Sequence, residues 1–277
     1  MITGASAGLG RAIAAALAPT HTLFLAGRPS DRLDRVAAEF GATTWPIDLA
    51  NTDDVAAVVE PIVELDVLVH NAGVAYPGRV AESSVEEWSA TMTVNLLGPV
   101  ALTLALLPAL RAAGGQVVFI NSGSGINASP GLASYSASKF ALRSFADSLR
   151  ADEPGLRVTS IHPGRIDTDM QRDLIAYEER DYVPEQFLRA DTVAAAVAGT
   201  GPIPMRDGSQ PAAAQPPNHS IGVRPSSSSL SSATTRQAAA ASFCWLALPA
   251  VTTPPSSGRS LASVSGVASA RNPSSRS

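Results

Sequence analysis

Tyr135 and Lys139 stand four residues apart in a segment with helical patterning, Ser134–Ala151. Four residues make about one helical turn, roughly 6 Å along the axis, so both side chains leave the same face. A phenol ordinarily titrates near ~10 and is a poor base at neutral pH. A nearby ammonium favours the phenolate, and lowering the pKa by ~2–3 units needs roughly 3–4 kcal/mol of differential stabilisation. A tyrosine so tuned gives a proton to an alkoxide or takes one from an alcohol. Tyr-x3-Lys arises readily by chance, so its weight comes from its surroundings. Ser122 closes the apolar run Gln116–Asn121, thirteen residues before Tyr135, in a Ser/Gly-rich loop where serine is common anyway. Asn95 falls inside a long helical pattern where asparagine is a poor helix former, which favours a functional reason for it.

A second group of residues suits a phosphate. Thr3-Gly-Ala-Ser-Ala-Gly-Leu-Gly10 runs directly into Arg11–Leu17. Gly4, Gly8 and Gly10 allow a tight turn and close backbone approach, with Ser6 and Leu9 in the same cradle. The helix that follows offers free N–H groups and its positive end to a pyrophosphate. The next run, Leu23-Phe-Leu-Ala-Gly-Arg28, ends in a cation, and Leu23–Ser30 holds no carboxylate. A carboxylate there would select the ribose 2′-hydroxyl of NAD, whereas an arginine accommodates the 2′-phosphate of NADP. Two readings of Arg28 stand: a 2′-phosphate ligand, giving NADP(H) preferred and NAD(H) possible, or a solvated loop cation.

The elements that must position these residues alternate. Strands are predicted at Thr22–Ala26, Thr43–Ile47, Asp66–His70, Gln116–Asn121 and Arg157–Ile161. Helices are predicted at Gly10–Leu17, Asp31–Phe40, Asp53–Val63, Val85–Leu110, Ser134–Ala151 and Asp191–Ala198. Short apolar runs separated by helical patterns argue for a parallel sheet covered on both faces. The fold class is therefore α/β, a Rossmann-type doubly wound parallel sheet. In that architecture a strand end and the next helix start meet at the carboxyl edge, where ligands bind.

Taken in order, Thr3-Gly4-x3-Gly8-x-Gly10, Asp48, Asn71-Ala72-Gly73, Asn95, Ser122, Tyr135-x3-Lys139 and Pro163-Gly164 resemble the classical short-chain dehydrogenase/reductase (SDR) family over about residues 1–199. The resemblance implies an oxidoreductase that passes hydride between NADP(H) and a small carbonyl or alcohol substrate. It implies that Asp48 contacts the adenine end, that Asn71, Ala72 and Gly73 close the adenine-ribose side, and that Asn95 holds a water in a proton relay. It further implies that Ser122 bonds the substrate carbonyl, that Tyr135 is the general acid/base, and that Lys139 binds the nicotinamide ribose and lowers the Tyr135 pKa. Pro163 and Gly164 would flank the nicotinamide, and Thr168 would touch its carboxamide. Asp48 is also readable as a cap for the helix near Asp53. His70 replaces the asparagine more usual before Asn-Ala-Gly and reads, like His162 and His21, as structural. Residues Arg165–Arg189 are expected to form the substrate loop, with Gly123–Ser129 as the other wall. No His, Cys and carboxylate group has metal-ligand spacing, and this chemistry needs no metal. A catalytically weak nucleotide-binding or sensor protein of the same fold is the alternative.

Composition bounds the rest. The 277 residues carry a net charge of −4, which gives no electrostatic reason for nucleic acid or an anionic membrane as partner. One cysteine, Cys244, rules out an internal disulfide, and no basic region precedes an apolar run at the N-terminus. A cytoplasmic protein, not a membrane protein, is expected, and a homo-oligomer is possible. Residues 1–199, the expected catalytic domain, hold 14 basic and 23 acidic side chains; residues 200–277 hold six arginines and only Asp207. This second stretch is rich in Ser, Pro and Ala, with Phe243–Leu248 its densest apolar group, and is expected to be a low-complexity tail, disordered or out of frame. The first strand of the family is reduced here to Met1 and Ile2, an expected loss of central pairing that a start assigned too late would explain. The strand expected last has only a weak candidate, His219–Arg224.

Overall fold

The structure, a computed structural model, describes residues 1–201 and 220–223. The tail reading falls almost wholly on residues 202–219 and 224–277, outside the described residues, as do Cys244 and Phe243–Leu248. The strands are β1 (Ile2–Thr3), β2 (Phe24–Gly27), β3 (Thr43–Pro46), β4 (Val67–His70), β5 (Gln116–Ile120), β6 (Arg157–Pro163) and β7 (Ser220–Val223). They form one parallel sheet in the order β3-β2-β1-β4-β5-β6-β7. The order reverses between β1 and β4, and a ligand crevice forms outside the carboxyl ends of strands at such a point.

Short as it is, β1 holds the centre of the sheet. Ile2 stands in register with Leu25 on one side and Val69 on the other, and the Met1 amino group donates to the Val67 carbonyl at 2.6 Å. The weak candidate near residue 220 pairs with β6, so the sheet draws on four residues beyond position 199.

The helices are α1 (Gly8–Leu17), α2 (Asp31–Phe40), α3 (Val55–Val59), α4 (Val85–Met92), α5 (Gly98–Ala113), α6 (Ala133–Asp152), α7 (Asp169–Tyr177) and α8 (Ala190–Ala198). They cover both faces, as the continuous apolar strands require. β5 illustrates the two-residue period: Val117 and Phe119 join Leu102, Leu106, Leu110 and Leu142 on one face. Val118 and Ile120 join Ile13, Leu33, Val193 and Val197 on the other. Burying each such leucine fully is worth roughly 1.5–3 kcal/mol.

Three helical expectations are corrected. The helix expected over Asp53–Val63 is confined to Val55–Val59, because Pro61 lacks a donor and disfavours helical backbone before it. The continuous helix expected over Val85–Leu110 is divided by a π-helical turn at Thr93–Leu97, centred on Asn95. The loop expected over Arg165–Arg189 contains α7, started by the Thr168 hydroxyl, which accepts from the Gln171 N–H at 3.3 Å.

Candidate active site

A cleft of about 1020 Å³ opens along the carboxyl edge of the sheet. That is at the top of the ~300–1,000 Å³ range of small-molecule and cofactor sites. At one end lies the glycine turn with Ser6 and Leu9; Arg28 and Asp48 line the same end. Asn71, Ala72 and Gly73 line the middle, and Ser122, Tyr135, Lys139, Pro163, Gly164 and Thr168 line the far end. Of the residues singled out in the sequence, only Asn95 is absent from the wall.

Sterics explain the turn. A Cβ at Gly10 would stand 2.2 Å from the Gly4 carbonyl oxygen, so no larger residue fits the first turn of α1. Gly8 has φ +49°, and a Cβ there would meet Thr168 Cγ2 at 3.3 Å. Only glycines leave room between this turn and the start of α7, and a dinucleotide pyrophosphate at the α1 N-terminus fits that cradle. Thr3, not singled out as a site residue from sequence, ties the cradle to β4. Its hydroxyl accepts from Asn71 N at 3.0 Å and Ala72 N at 3.1 Å and donates to Val69 O at 3.3 Å. The Asn71 side chain donates back to Thr3 O at 2.9 Å. Arg28 is exposed at the end of β2 and makes no ion pair among the described residues. Asp48 closes a turn of its own, accepting from Ala50 N at 3.0 Å, and does not cap α3.

The far end is held from two elements, β5 and α6. Ser122 follows β5, and its hydroxyl accepts from Ser124 N at 3.1 Å. Tyr135 and Lys139 lie on α6, with the Lys139 ammonium 5.7 Å from the Tyr135 ring centroid. Burial pushes the Tyr135 phenol up from its ordinary value, and its hydrogen bond with Ser122 opposes that. Burial lowers Lys139 to about 8. The ammonium donates to the Ile120 carbonyl at 2.9 Å. In the protein alone the cation is aimed at a backbone oxygen and the Tyr135 ring is desolvated.

Asn95 works at one remove. It is fully buried, accepts from Val74 N at 2.8 Å, and donates to Val74 O at 2.9 Å and Ser138 Oγ at 3.0 Å. Ser138 in turn donates to the Tyr135 carbonyl at 2.7 Å. Asn95 thus locks the loop after β4 to the turn of α6 that carries Tyr135 and Lys139, a positioning residue in this arrangement. The π-helical turn is what swings its side chain into that gap, and such turns concentrate at functional sites.

His70 is buried and stacked on Phe119 at 4.9 Å. Thr103 Oγ1 donates to Pro99 O at 2.7 Å, so it accepts from His70 Nε2–H at 2.8 Å. Nδ1 then carries a lone pair and has no partner among the described residues. Burial, reinforced by Lys139 and the terminal amine, lowers the imidazole to about 3. A neutral packing residue, as read from the sequence, is what this environment tolerates.

Comparison with known proteins settles the family. The family model for short chain dehydrogenase matches residues 1–179. The chain belongs to the short-chain dehydrogenase family. This short-chain dehydrogenase is 35% identical over 201 residues to dehydrogenase/reductase SDR family member 7B of Bos taurus, covering 66% of this chain and 62% of the relative. It thus spans less than two thirds of that relative's length. An "uncharacterized oxidoreductase" of Staphylococcus epidermidis is 30% identical over 207 residues, covering 71% of this chain and 87% of its own. Among solved structures, a putative NAD(P)-dependent gluconate 5-dehydrogenase from Beutenbergia cavernae with bound NADP superimposes with a TM-score of 0.66 at 28% identity. The match covers 71% of this chain and 86% of that one. An alcohol dehydrogenase from Thermococcus sibiricus complexed with 5-hydroxy-NADP gives 0.64 at 31% identity, covering 72% and 88%.

Proposed function

We propose that this short-chain dehydrogenase interconverts a carbonyl and an alcohol with NADP(H), with Tyr135 as general acid/base. The observation that carries the reading is the convergence of the Tyr135 and Ser122 hydroxyls with Lys139 in one cleft that begins at the glycine turn. A nicotinamide cofactor, when bound, would supply or accept the hydride. The Ser122 hydroxyl orients the carbonyl oxygen. Tyr135, kept protonated at neutral pH by burial, gives its proton to that oxygen as charge develops on it. The phenolate left behind is held by the Lys139 ammonium; in the alcohol-oxidising direction it takes the proton back. Arg28, exposed and without an ion-pair partner among the described residues, supports the preference for NADP(H) over NAD(H).

The cytoplasmic placement belongs to the same proposal. Val85–Ala113 is long and apolar enough, by length and composition, to cross a membrane. Its Leu102, Leu106 and Leu110, however, are fully buried in the core beside the sheet, where they serve packing. Exposed Leu97, Leu104 and Phe140 on α5, α6 and the π-helical turn support a homo-oligomer.

The decisive experiment follows NADPH oxidation with a panel of aldehydes and ketones. Tyr135→Phe should lower turnover at least ~10²-fold, the share of a lost general acid, while NADPH still binds. Near-full turnover by that variant would overturn the role of Tyr135. NADPH binding by the unmodified protein without turnover of any carbonyl would favour the nucleotide-binding alternative.

A further inference from the structure

We infer that the substrate is a neutral carbonyl compound with an apolar body, and not a keto acid or a sugar phosphate. The inference rests on the oxidoreductase reading and names the substrate class of that same site. The reacting carbonyl must sit beside Ser122 and Tyr135. The cleft wall carries aliphatic side chains, Val74 after β4, Val94 in the π-helical turn and Leu132 before α6, beside the polar Asn121 and Gln171. Met170 and Leu174 line it as well. These two are four residues apart on α7 and share one helical face, half-buried over the cleft.

The charges of this half are already satisfied. Arg165 lines the cleft but is ion-paired with Glu178. Asp169 lines it and is paired with Arg32 at 3.1 Å. Lys139 is committed to the Ile120 carbonyl at one end and to Tyr135 in the reaction. The hydroxyls of Ser124 and Ser129 hydrogen-bond each other at 2.9 Å. A carboxylate or phosphate entering here would give up water and meet Arg165 already paired with Glu178 and Lys139 already donating to the Ile120 carbonyl, an unfavourable exchange. An aromatic or aliphatic body, by contrast, exchanges water for Val, Leu and Met side chains.

Two aldehydes of nearly equal shape test this, 4-methylbenzaldehyde and 4-formylbenzoate, each assayed by NADPH oxidation with the full chain. The expected result is a kcat/KM at least ~10-fold higher for the neutral compound. Leu174→Arg, which adds a cation to the wall, should move that ratio toward the carboxylate by at least ~10-fold; Met170→Arg is the second variant should the first fail to fold. Tyr135-dependent turnover that favours 4-formylbenzoate in the unmodified protein overturns the inference and leaves the oxidoreductase reading standing. A ratio unmoved by either arginine also overturns it. No oxidation of NADPH with either aldehyde overturns the reading beneath it as well.

Discussion

The two ends of the cleft are built differently. The cofactor end is made of backbone: the glycine turn, the start of α1, and the loop after β4 pinned by Thr3 and Asn71. Its tolerances are set by atoms that cannot move far, such as the Gly4 carbonyl beneath Gly10. The substrate end is made of side chains from segments remote in sequence, including α7, whose first turn reaches α2 through the exposed pair Arg32–Asp169. Rigid backbone sterics at one end and adaptable side chains at the other mean that a substitution at the glycine turn has nowhere to relax, whereas one on the α7 wall has.

Substitutions that attack each end should separate them. Gly10→Ala carries the largest expected effect. Its Cβ has no room, so the turn must shift; the overpacking cost of roughly 2–3 kcal/mol should lower Tm by roughly 4–10 °C. NADPH affinity should fall by more than ~10²-fold, read by fluorescence titration. An unchanged Tm with unchanged affinity would break the contrast between a rigid and an adaptable end.

Arg28→Asp should act only at the cofactor end. A carboxylate in place of the cation should shift the ratio of NADPH to NADH dissociation constants by at least ~10-fold toward NADH, or reverse it, with Tm unaltered. An NADH preference in the unmodified protein would remove Arg28 from the cofactor site.

The smallest effect is expected where the two ends touch. Arg32 and Asp169 are 55% and 71% exposed, so their attraction is screened. Arg32→Ala or Asp169→Asn should change the NADPH dissociation rate less than ~5-fold, and 1 M salt should erase the difference. A larger, salt-resistant change in stopped-flow would mean that α7 and the cofactor end act as one rigid body.

Much of the cofactor end was legible in the sequence. Gly4, Gly8 and Gly10 are spaced for a turn that opens a helix, and Asn71-Ala72-Gly73 ends a clear apolar strand; both signals are local. The sheet followed from alternating apolar runs, even with β1 reduced to two residues. α7 escaped because its nine residues are mixed in character and only the Thr168 cap marks its start. The break at Asn95 escaped because apolar periodicity runs on through Val85–Ala113 without a proline at the π-helical turn itself.

The sequence by itself determined the family and the succession of strands, and it singled out Ser122, Tyr135 and Lys139 as candidates, since those rest on residue type and spacing. Only the tertiary structure decided how these groups are held. Asn95 spends its carboxamide on Val74 and Ser138, 21 and 43 residues away. Lys139 reaches a carbonyl 19 residues back and, in the protein alone, leaves the Tyr135 phenol raised by burial. Arg32 finds Asp169 across 137 residues. Hydrogen-bond partners and burial are properties of the packed chain, and no local pattern encodes which distant atom a side chain will meet when the sheet closes.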